Sequence, residues 1–275
     1  MDADTNTLIA DGAPSAFHAA TGSPAPYYEA DGITLYHGDM REILPLLPRV
    51  DAVVTDPPYN ETALEWDVWP TGWPAIVAAV TDSLWCFGSL RMFWDRVGEF
   101  DGWKLAQDIV WEKQNGSGFA DDRFKRVHEL AIHLYRGEWS AIHKAPPLVA
   151  GVPRRYSRNL QPTHTGKIGA QLSKEVRSER IQRSVIYANN CHGYAVNETQ
   201  KPEAIVAPLL DYCVPPGGVV VDCFAGSGTV LAVARSQGKR AIGIESRESQ
   251  CREIVNRLSQ RELSLGNDEM TRRQK

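Results

Sequence analysis

The sequence predicts an α/β protein built on a mostly parallel twisted sheet flanked by helices. Three observations carry that expectation. The apolar run Asp51-Ala-Val-Val-Thr55 closes on Asp56-Pro57-Pro58-Tyr59. About 160 residues later, Val219-Val-Val closes on Asp222-Cys-Phe224-Ala-Gly226-Ser-Gly228-Thr229. Around both, short apolar runs alternate with segments of helical spacing, the rhythm of strands joined by crossover helices. Each motif falls at the carboxyl end of a strand, the edge where open α/β sheets hold their ligands.

The elements follow in order. Residues 1–26 are rich in Ala, Gly, Pro, Ser and Thr without periodicity and are expected to form a disordered tail. Ile33-Thr-Leu-Tyr36 alternates like a strand and leads to His37-Gly38-Asp39. Met40 to Leu47 has helical spacing and stops at Pro48. Ala52 to Thr55 reads as a buried strand, Trp73 to Ser83 as a helix, and Leu84 to Phe87 as the next strand, halted by Gly88. Lys104 to Trp111 and Glu129 to Tyr135 are further strands. Residues 140–182 break the rhythm with scattered Pro, Gly and Arg; so long an irregular stretch in a compact domain points to function or mobility. Regular structure resumes at Ser184-Val-Ile-Tyr187. Pro202 to Cys213 reads as a helix with Pro in its first turn, Val219 to Val221 as a central strand and Thr229 to Gln237 as a helix. Arg240 to Ile244 is a strand ending at Glu245, and Glu248 to about Leu263 is the last helix. No internal repeat is evident.

The chain has 275 residues, 43% of them hydrophobic and 23% charged, which suffices for a real core in one large domain or two small ones. No stretch approaches the roughly 18 apolar residues of a membrane-spanning helix. The N-terminus lacks a basic region followed by an apolar core, so no signal peptide is expected. The five cysteines (Cys86, Cys191, Cys213, Cys223, Cys251) form no C-x-x-C pair, which argues against a disulfide framework and a zinc site and for a reducing cytoplasm. The net charge of −4 hides an asymmetry: residues 143–183 carry +7, and the remainder about −11. Such a stretch is either a solvated surface or a face for an anionic partner.

The glycine turn between strand and helix lets a ligand approach the backbone closely and aims N–H groups at it. Asp222 at the strand end offers a carboxylate, and Glu245 ends the next strand about 17 residues after Gly228, where an acid typically meets ribose hydroxyls. The set favours a nucleoside cofactor without choosing between a nicotinamide dinucleotide and S-adenosylmethionine. Asp56-Pro57-Pro58-Tyr59 chooses. Two prolines fix φ and remove two N–H donors, leaving carbonyls free to accept. With Asp56 they make converging acceptors for an exocyclic NH₂, whose lone pair is thereby turned toward an electrophile, while Tyr59 stacks on the ring.

On these residues the chain resembles the DNA amino-methyltransferases, which methylate adenine N6 or cytosine N4 from S-adenosylmethionine. It resembles the permuted branch, in which D/S-P-P-Y precedes F-x-G-x-G. The likeness covers roughly residues 33–263 and includes Gly38-Asp39, Val110-Trp-Glu-Lys113, His128-Glu129 and Thr199-Gln-Lys201-Pro202. It implies a Rossmann-like methyltransferase fold with a small target-recognition insert. In that reading Asp56 and the Pro57 carbonyl, with Pro58 stiffening the turn, hold the target amine, and Tyr59 stacks on the base. Phe224, Ala225, Gly226, Ser227, Gly228 and Thr229 shape the cofactor pocket beside Asp222. Glu245 meets the ribose, Asp39 the cofactor adenine, and Lys201 with Thr199 the carboxylate. Two positions depart from the family: Cys223 stands where proline is common, and Asn197-Glu198 where His-Pro is common. Neither removes a group the mechanism needs.

The expected mechanism is direct in-line transfer to a flipped base, with no covalent intermediate and no metal. Asn60 to Trp69, rich in Trp, either closes over the flipped base or packs its tryptophans as a surface loop. The basic stretch becomes the DNA-facing insert, with Lys144, Arg154, Arg155, Arg158 and Lys167 as phosphate or base contacts. The domain reading is a tail at 1–26, a catalytic half at 27–139, an insert at 140–183, a cofactor half at 184–265 and a tail at 266–275. Double-stranded DNA is the expected partner, with no membrane; a homodimer and a cognate restriction nuclease stay open. Asp rather than Ser at position 56 tilts the target toward adenine, with cytosine N4 as the alternative and a non-catalytic DNA-binding module as a distant one.

Overall fold

The computed structural model describes residues 25–117, 121–155, 176–189 and 200–273. Residues 1–24 of the tail expected over 1–26, and the candidate residues Arg158, Lys167 and Thr199, lie outside the described residues. In chain order the first elements are β1 (Tyr28–Ala30), β2 (Ile33–His37), α1 (Met40–Ile43), β3 (Ala52–Thr55), α2 (Trp73–Val80), β4 (Ser83–Gly88) and α3 (Leu90–Asp95). There follow β5 (Lys104–Ser117), β6 (Arg126–Tyr135), β7 (Leu148–Arg155), β8 (Val176–Ile181) and β9 (Val185–Tyr187). The last are α4 (Glu203–Cys213), β10 (Val219–Asp222), α5 (Thr229–Ser236), β11 (Arg240–Glu245) and α6 (Glu248–Arg273).

Nine strands form one sheet in the order β1-β2-β11-β10-β3-β4-β6-β5-β9. The five strands from β2 to β4 are mutually parallel, β1 runs antiparallel to β2, β6 runs antiparallel to both β4 and β5, and β9 pairs with β5 in parallel. Parallel strands buried on both faces need apolar side chains at every position, and β3 is buried throughout. Its residues divide between the two faces. Ala52 and Val54 pack with Ile205, Leu209, Leu231 and Ile254 of α4, α5 and α6. Val53 packs with Ile43, Trp73 and Val77 of α1 and α2. The result is a helix–sheet–helix layering, with α4–α6 on one face and α1–α3 on the other.

Most elements stand where the sequence puts them; β1 and α3 are not among those expected, α2 ends at Val80 rather than Ser83, α6 runs past Leu263 to Arg273, and three further differences have a plain physical reason. First, α1 stops at Ile43 and a 3₁₀ turn takes over at Leu44–Leu46. Pro45 has no N–H to continue the α-helical ladder, so the break comes before Pro48. Second, the β5–β6 hairpin extends beyond the expected apolar runs to Ser117 and Arg126, and β5 has register shifts at Leu105/Gln107 and Glu112/Ser117. Its polar outer ends are held by cross-strand pairing, which leaves no hydrophobic alternation to read. Third, the stretch expected to be irregular contains the antiparallel pair β7–β8, with Leu148 opposite Ile181 and Arg154 opposite Arg177. Residues 146–183 form a compact unit of their own, and the rest of the chain forms the other.

Candidate active site

The chain leaves β10 for β11 through α5 on one face of the sheet, and leaves β3 for β4 through α2 on the opposite face. β3 and β10 are adjacent and parallel, with Val53 opposite Val221. Their carboxyl ends therefore flank a topological switch point, where diverging connections open a crevice. Both sequence motifs begin there. The Thr55 hydroxyl donates to Asp222 Oδ1 at 2.7 Å, a buried bond that ties the two strand ends together.

The glycine turn follows β10. Gly226 and Gly228 have φ of 50° and 70°, in the left-handed region that glycine tolerates best. Gly226 N donates to Glu245 Oε2 at 2.8 Å, and Ala225 N to the Ile244 carbonyl at 2.9 Å, so β11 holds the turn against its own end. Glu245 Oε1 accepts from Arg247 N at 2.9 Å. The Phe224 ring stands edge-on to Trp73, 5.6 Å between centroids at 90°. The Thr229 hydroxyl donates to the Lys201 carbonyl at 3.1 Å, linking the start of α5 to the segment that carries Lys201. Asp222 also accepts from Phe224 N at 3.2 Å, yet burial dominates and pushes its carboxyl up to about 7.

Across the switch point a buried charge cluster surrounds Asp56. The Lys201 ammonium pairs with Asp56 Oδ2 and lies 2.9 Å from Glu129 Oε1. It also faces the rings of Phe87 and Tyr59, at 5.5 and 5.8 Å from their centroids. The Tyr59 hydroxyl is 2.5 Å from Asp56 Oδ1 and 2.9 Å from Glu129 Oε1. Lys113 Nζ closes the cluster on Glu129 Oε2 at 2.6 Å. Two carboxylates and two ammonium groups thus balance. Burial raises the Asp56 carboxyl pKa, with Lys201 and Tyr59 opposing it. Burial also acts to raise Glu129, but Lys201 and Lys113 outweigh it and hold Glu129 low. The Lys201 ammonium is kept charged by Asp56 and Glu129 against its desolvation.

Asp56 to Tyr59, Phe224 to Ser227, Thr229 and Glu245 line one cavity of about 1120 Å³. That exceeds the roughly 300–1,000 Å³ of a typical small-ligand pocket, so two flat ligands can meet in it. Asp39 also lines the cavity, but its carboxylate is engaged by Arg41, accepting from Arg41 N at 2.8 Å and from the guanidinium. Lys144 is not part of the lining; its ammonium donates to the Trp139 and Ile142 carbonyls and lies 4.8 Å from the Trp139 ring centroid. Arg154 and Arg155 lie on β7.

The segment from Asn60 to Trp69 is knotted by Asp67. Its carboxylate accepts from the backbone N–H groups of Asn60, Glu61 and Thr62 at 2.7–2.9 Å and from the Thr62 hydroxyl at 2.7 Å. Trp69 is buried edge-on to Trp73, whereas Trp66 lies at the cavity beneath the Arg247 guanidinium, 4.8 Å away. Glu129 and Lys113 stand in segments that carry the resemblance, but the motif reading gives them no role at the site. Glu129, 6% exposed, shares the phase of buried Ala131 and His133 along β6. A charge in a buried phase is the signal that could have found it. Lys201, which the resemblance puts at the cofactor carboxylate, lines the cavity and pairs there with Asp56 and Glu129.

Residues 50–256 match the family model for DNA methylases of the N6/N4 type. The type II methyltransferase M.ScaI of Streptomyces caespitosus is 28% identical, over 87% of this chain and 86% of its own length. M.HinfI of Haemophilus influenzae is 26% identical, over 77% of this chain and 64% of its own. Among solved structures, M1.HpyAVI in complex with SAM has a TM-score of 0.56 at 21% identity, over 82% of this chain and 99% of that one. The cytosine-N4-specific PvuII DNA methyltransferase has a TM-score of 0.55 at 18% identity, over 81% of this chain and 84% of that one. Both likenesses concern the fold.

Proposed function

The chain belongs to the N6/N4 DNA methylase family, and from that premise we propose that it transfers a methyl group from S-adenosylmethionine to the N6 amine of adenine in double-stranded DNA. One observation carries the proposal. Strand ends separated by 167 residues, joined by the Thr55–Asp222 bond, open their two motifs onto the same cavity.

The residues present fit the cofactor. A Cβ at Gly228 would stand 3.0 Å from Ile254, so the turn packs tightly against α6, while Gly226 and Ser227 of the same turn line the cavity. The Glu245 carboxylate lies at the end of β11, on the cavity wall, where ribose hydroxyls are commonly held. When bound, S-adenosylmethionine supplies a sulfonium methyl group open to displacement. The protein's part is to bring a nucleophile to it. A duplex buries the adenine amine, so the base must leave the stack, at about a few kcal/mol. Asp56 then accepts from the amine and offsets the positive charge that grows on nitrogen as the methyl arrives. Holding nitrogen in line with the methyl group at about 3–3.5 Å accounts for several kcal/mol of the barrier. The proton lost from nitrogen departs through Asp56 or to solvent, and no side chain forms a covalent bond.

Asp at position 56 favours adenine over cytosine N4, by the resemblance in the motif. The DNA-facing role falls to the basic unit at 146–183, which includes Arg154 and Arg155. The test is direct. Unmethylated double-stranded DNA is incubated with the protein and labelled S-adenosylmethionine, digested to nucleosides and resolved by mass spectrometry. N6-methyldeoxyadenosine is the expected product. N4-methyldeoxycytidine in its place overturns the choice of base, and the absence of any methylated nucleoside overturns the activity.

A further inference from the structure

Every donor that rests on Asp56 has a second seat on one neighbouring oxygen. The Lys201 ammonium pairs with Asp56 Oδ2 and with Glu129 Oε1, and the Tyr59 hydroxyl reaches Asp56 Oδ1 and the same Glu129 Oε1. Glu129 Oε2 is filled by Lys113, whose ammonium lies 4.4 Å from the Trp111 ring centroid. Glu129 is therefore fixed from behind and presents its other oxygen to the site. A target amine approaching Asp56 brings a donor of its own. Each Asp56 oxygen already carries one strong donor, Tyr59 on Oδ1 and Lys201 on Oδ2, so turning either oxygen to the amine disturbs a bond already made. A hydroxyl or ammonium pushed off Asp56 inside a buried site is costly unless another acceptor stands ready.

We propose that Glu129 is a positioning residue for methyl transfer, which takes over the Tyr59 hydroxyl and the Lys201 ammonium when Asp56 turns an oxygen to the target amine. This rests on the methyltransferase reading above. In it Glu129 touches neither substrate nor cofactor. It acts through Tyr59 and Lys201, keeping Tyr59 oriented and the exchange at Asp56 free of unpaired donors. Lys113 compensates the Glu129 charge, which eases the placement of a second carboxylate beside the first.

The experiment compares wild type, Glu129→Ala, Tyr59→Phe and the double variant, using unmethylated double-stranded DNA and S-adenosylmethionine. It reads kcat by product nucleoside and cofactor Kd by calorimetry. Glu129→Ala is expected to lower kcat by about tenfold or more and to leave cofactor Kd within about twofold. In the Tyr59→Phe background, where one of the two donors is gone, the same substitution should cost markedly less, because residues sharing a hydrogen bond do not act additively. A kcat within twofold of wild type in Glu129→Ala, or fully multiplicative losses in the double variant, overturns the proposal. If Glu129→Ala does not fold by circular dichroism, Glu129→Leu with Lys113→Met removes both buried charges together and carries the same comparison. A wild-type protein that methylates no DNA sinks the methyltransferase reading. An active wild type matched by Glu129→Ala sinks only the role of Glu129.

Discussion

Thr55 and Asp222, 167 residues apart in sequence, are joined by a buried hydrogen bond of 2.7 Å from hydroxyl to carboxylate. It spans β3 and β10 at the point where the chain turns to opposite faces of the sheet, and so fixes Asp56-Pro57-Pro58-Tyr59 relative to the glycine turn. Thr55→Val keeps the shape and removes the donor. The Asp222 oxygen then keeps only the longer bond from Phe224 N. A loss of about 1–3 kcal/mol is expected, seen as a lower Tm together with weaker cofactor binding. Thr55→Ser should restore most of both. Unchanged cofactor binding in Thr55→Val would mean that the bond serves stability alone.

Asp222 also gives the stability a pH dependence. Burial raises its folded pKa from 3.8 to about 7. Between those values the folded protein holds a proton that the unfolded chain has released. The stabilisation from this group is therefore full below about pH 4 and is lost as pH rises to about 7, at up to about 1.4 kcal/mol per unit. Asp222→Asn removes the titration and keeps an acceptor for Thr55. Urea denaturation should show the variant gaining on wild type from pH 5 to pH 8. Parallel stabilities across that range would refute this assignment.

The parallel core was legible because a strand buried on both faces must be apolar throughout. Ala52 to Thr55 and Val219 to Asp222 announce themselves, and the motifs that follow can only lie at their carboxyl ends. The β7–β8 pair was not legible, since Gly151 and Pro153 break the apolar run of β7 and Arg-Ser-Glu-Arg fills the middle of β8, so its order comes from backbone pairing. Nor was the charge cluster. Lys113, Glu129 and Lys201 come from separate segments, and only the register of β5 and β6 and the return of the chain before α4 place them together. Motif resemblance assigned Lys201 to the cofactor carboxylate. The geometry sets it between two carboxylates, a position that no local pattern encodes.

Lys201→Met leaves Asp56 and Glu129 facing each other with Lys113 as the remaining cation of the cluster. Breaking a buried pair on one side costs about 3–5 kcal/mol. With its main counter-charge gone, the Asp56 carboxyl pKa, already raised by burial, climbs further. A raised folded pKa removes stability as pH increases, so the variant should be least stable at alkaline pH. Its residual activity should run the other way and rise with pH, because only ionised Asp56 offsets charge on the amine. Opposite slopes for denaturation midpoint and kcat are the expected signature, and a flat pH–rate profile would contradict it.

Gly228→Ala separates backbone strain from packing when set beside Gly72→Ala. Both glycines have positive φ, 70° and 83°, so alanine is strained at either by about 1–2 kcal/mol. Around Gly72 no atom lies within 4 Å of an added Cβ, whereas at Gly228 it would stand 3.0 Å from Ile254. Gly72→Ala should lower Tm modestly and leave cofactor affinity alone. Gly228→Ala should lower Tm further and weaken calorimetric cofactor binding, because the buried Ile254 side chain must shift to make room beside the turn. Equal Tm losses with intact binding would show that the turn tolerates displacement.

Arg154→Glu with Arg155→Glu tests whether the basic unit at 146–183 faces DNA. These arginines lie on β7, outside the unit that carries Asp56 and the glycine turn, so reversing them should leave cofactor Kd unchanged. Each phosphate contact contributes about 0.9 to the slope of log K against log salt concentration. If both arginines neutralise phosphates, the double variant should bind double-stranded DNA more weakly at low salt, with a slope shallower by about 2. KM for DNA should rise while kcat at saturating DNA holds, since these contacts form before the base reaches Asp56. Affinity and salt slope both equal to wild type would remove these two arginines from the DNA interface. The +6 charge of residues 146–183 would then have to act through its other basic residues or belong to a solvated surface.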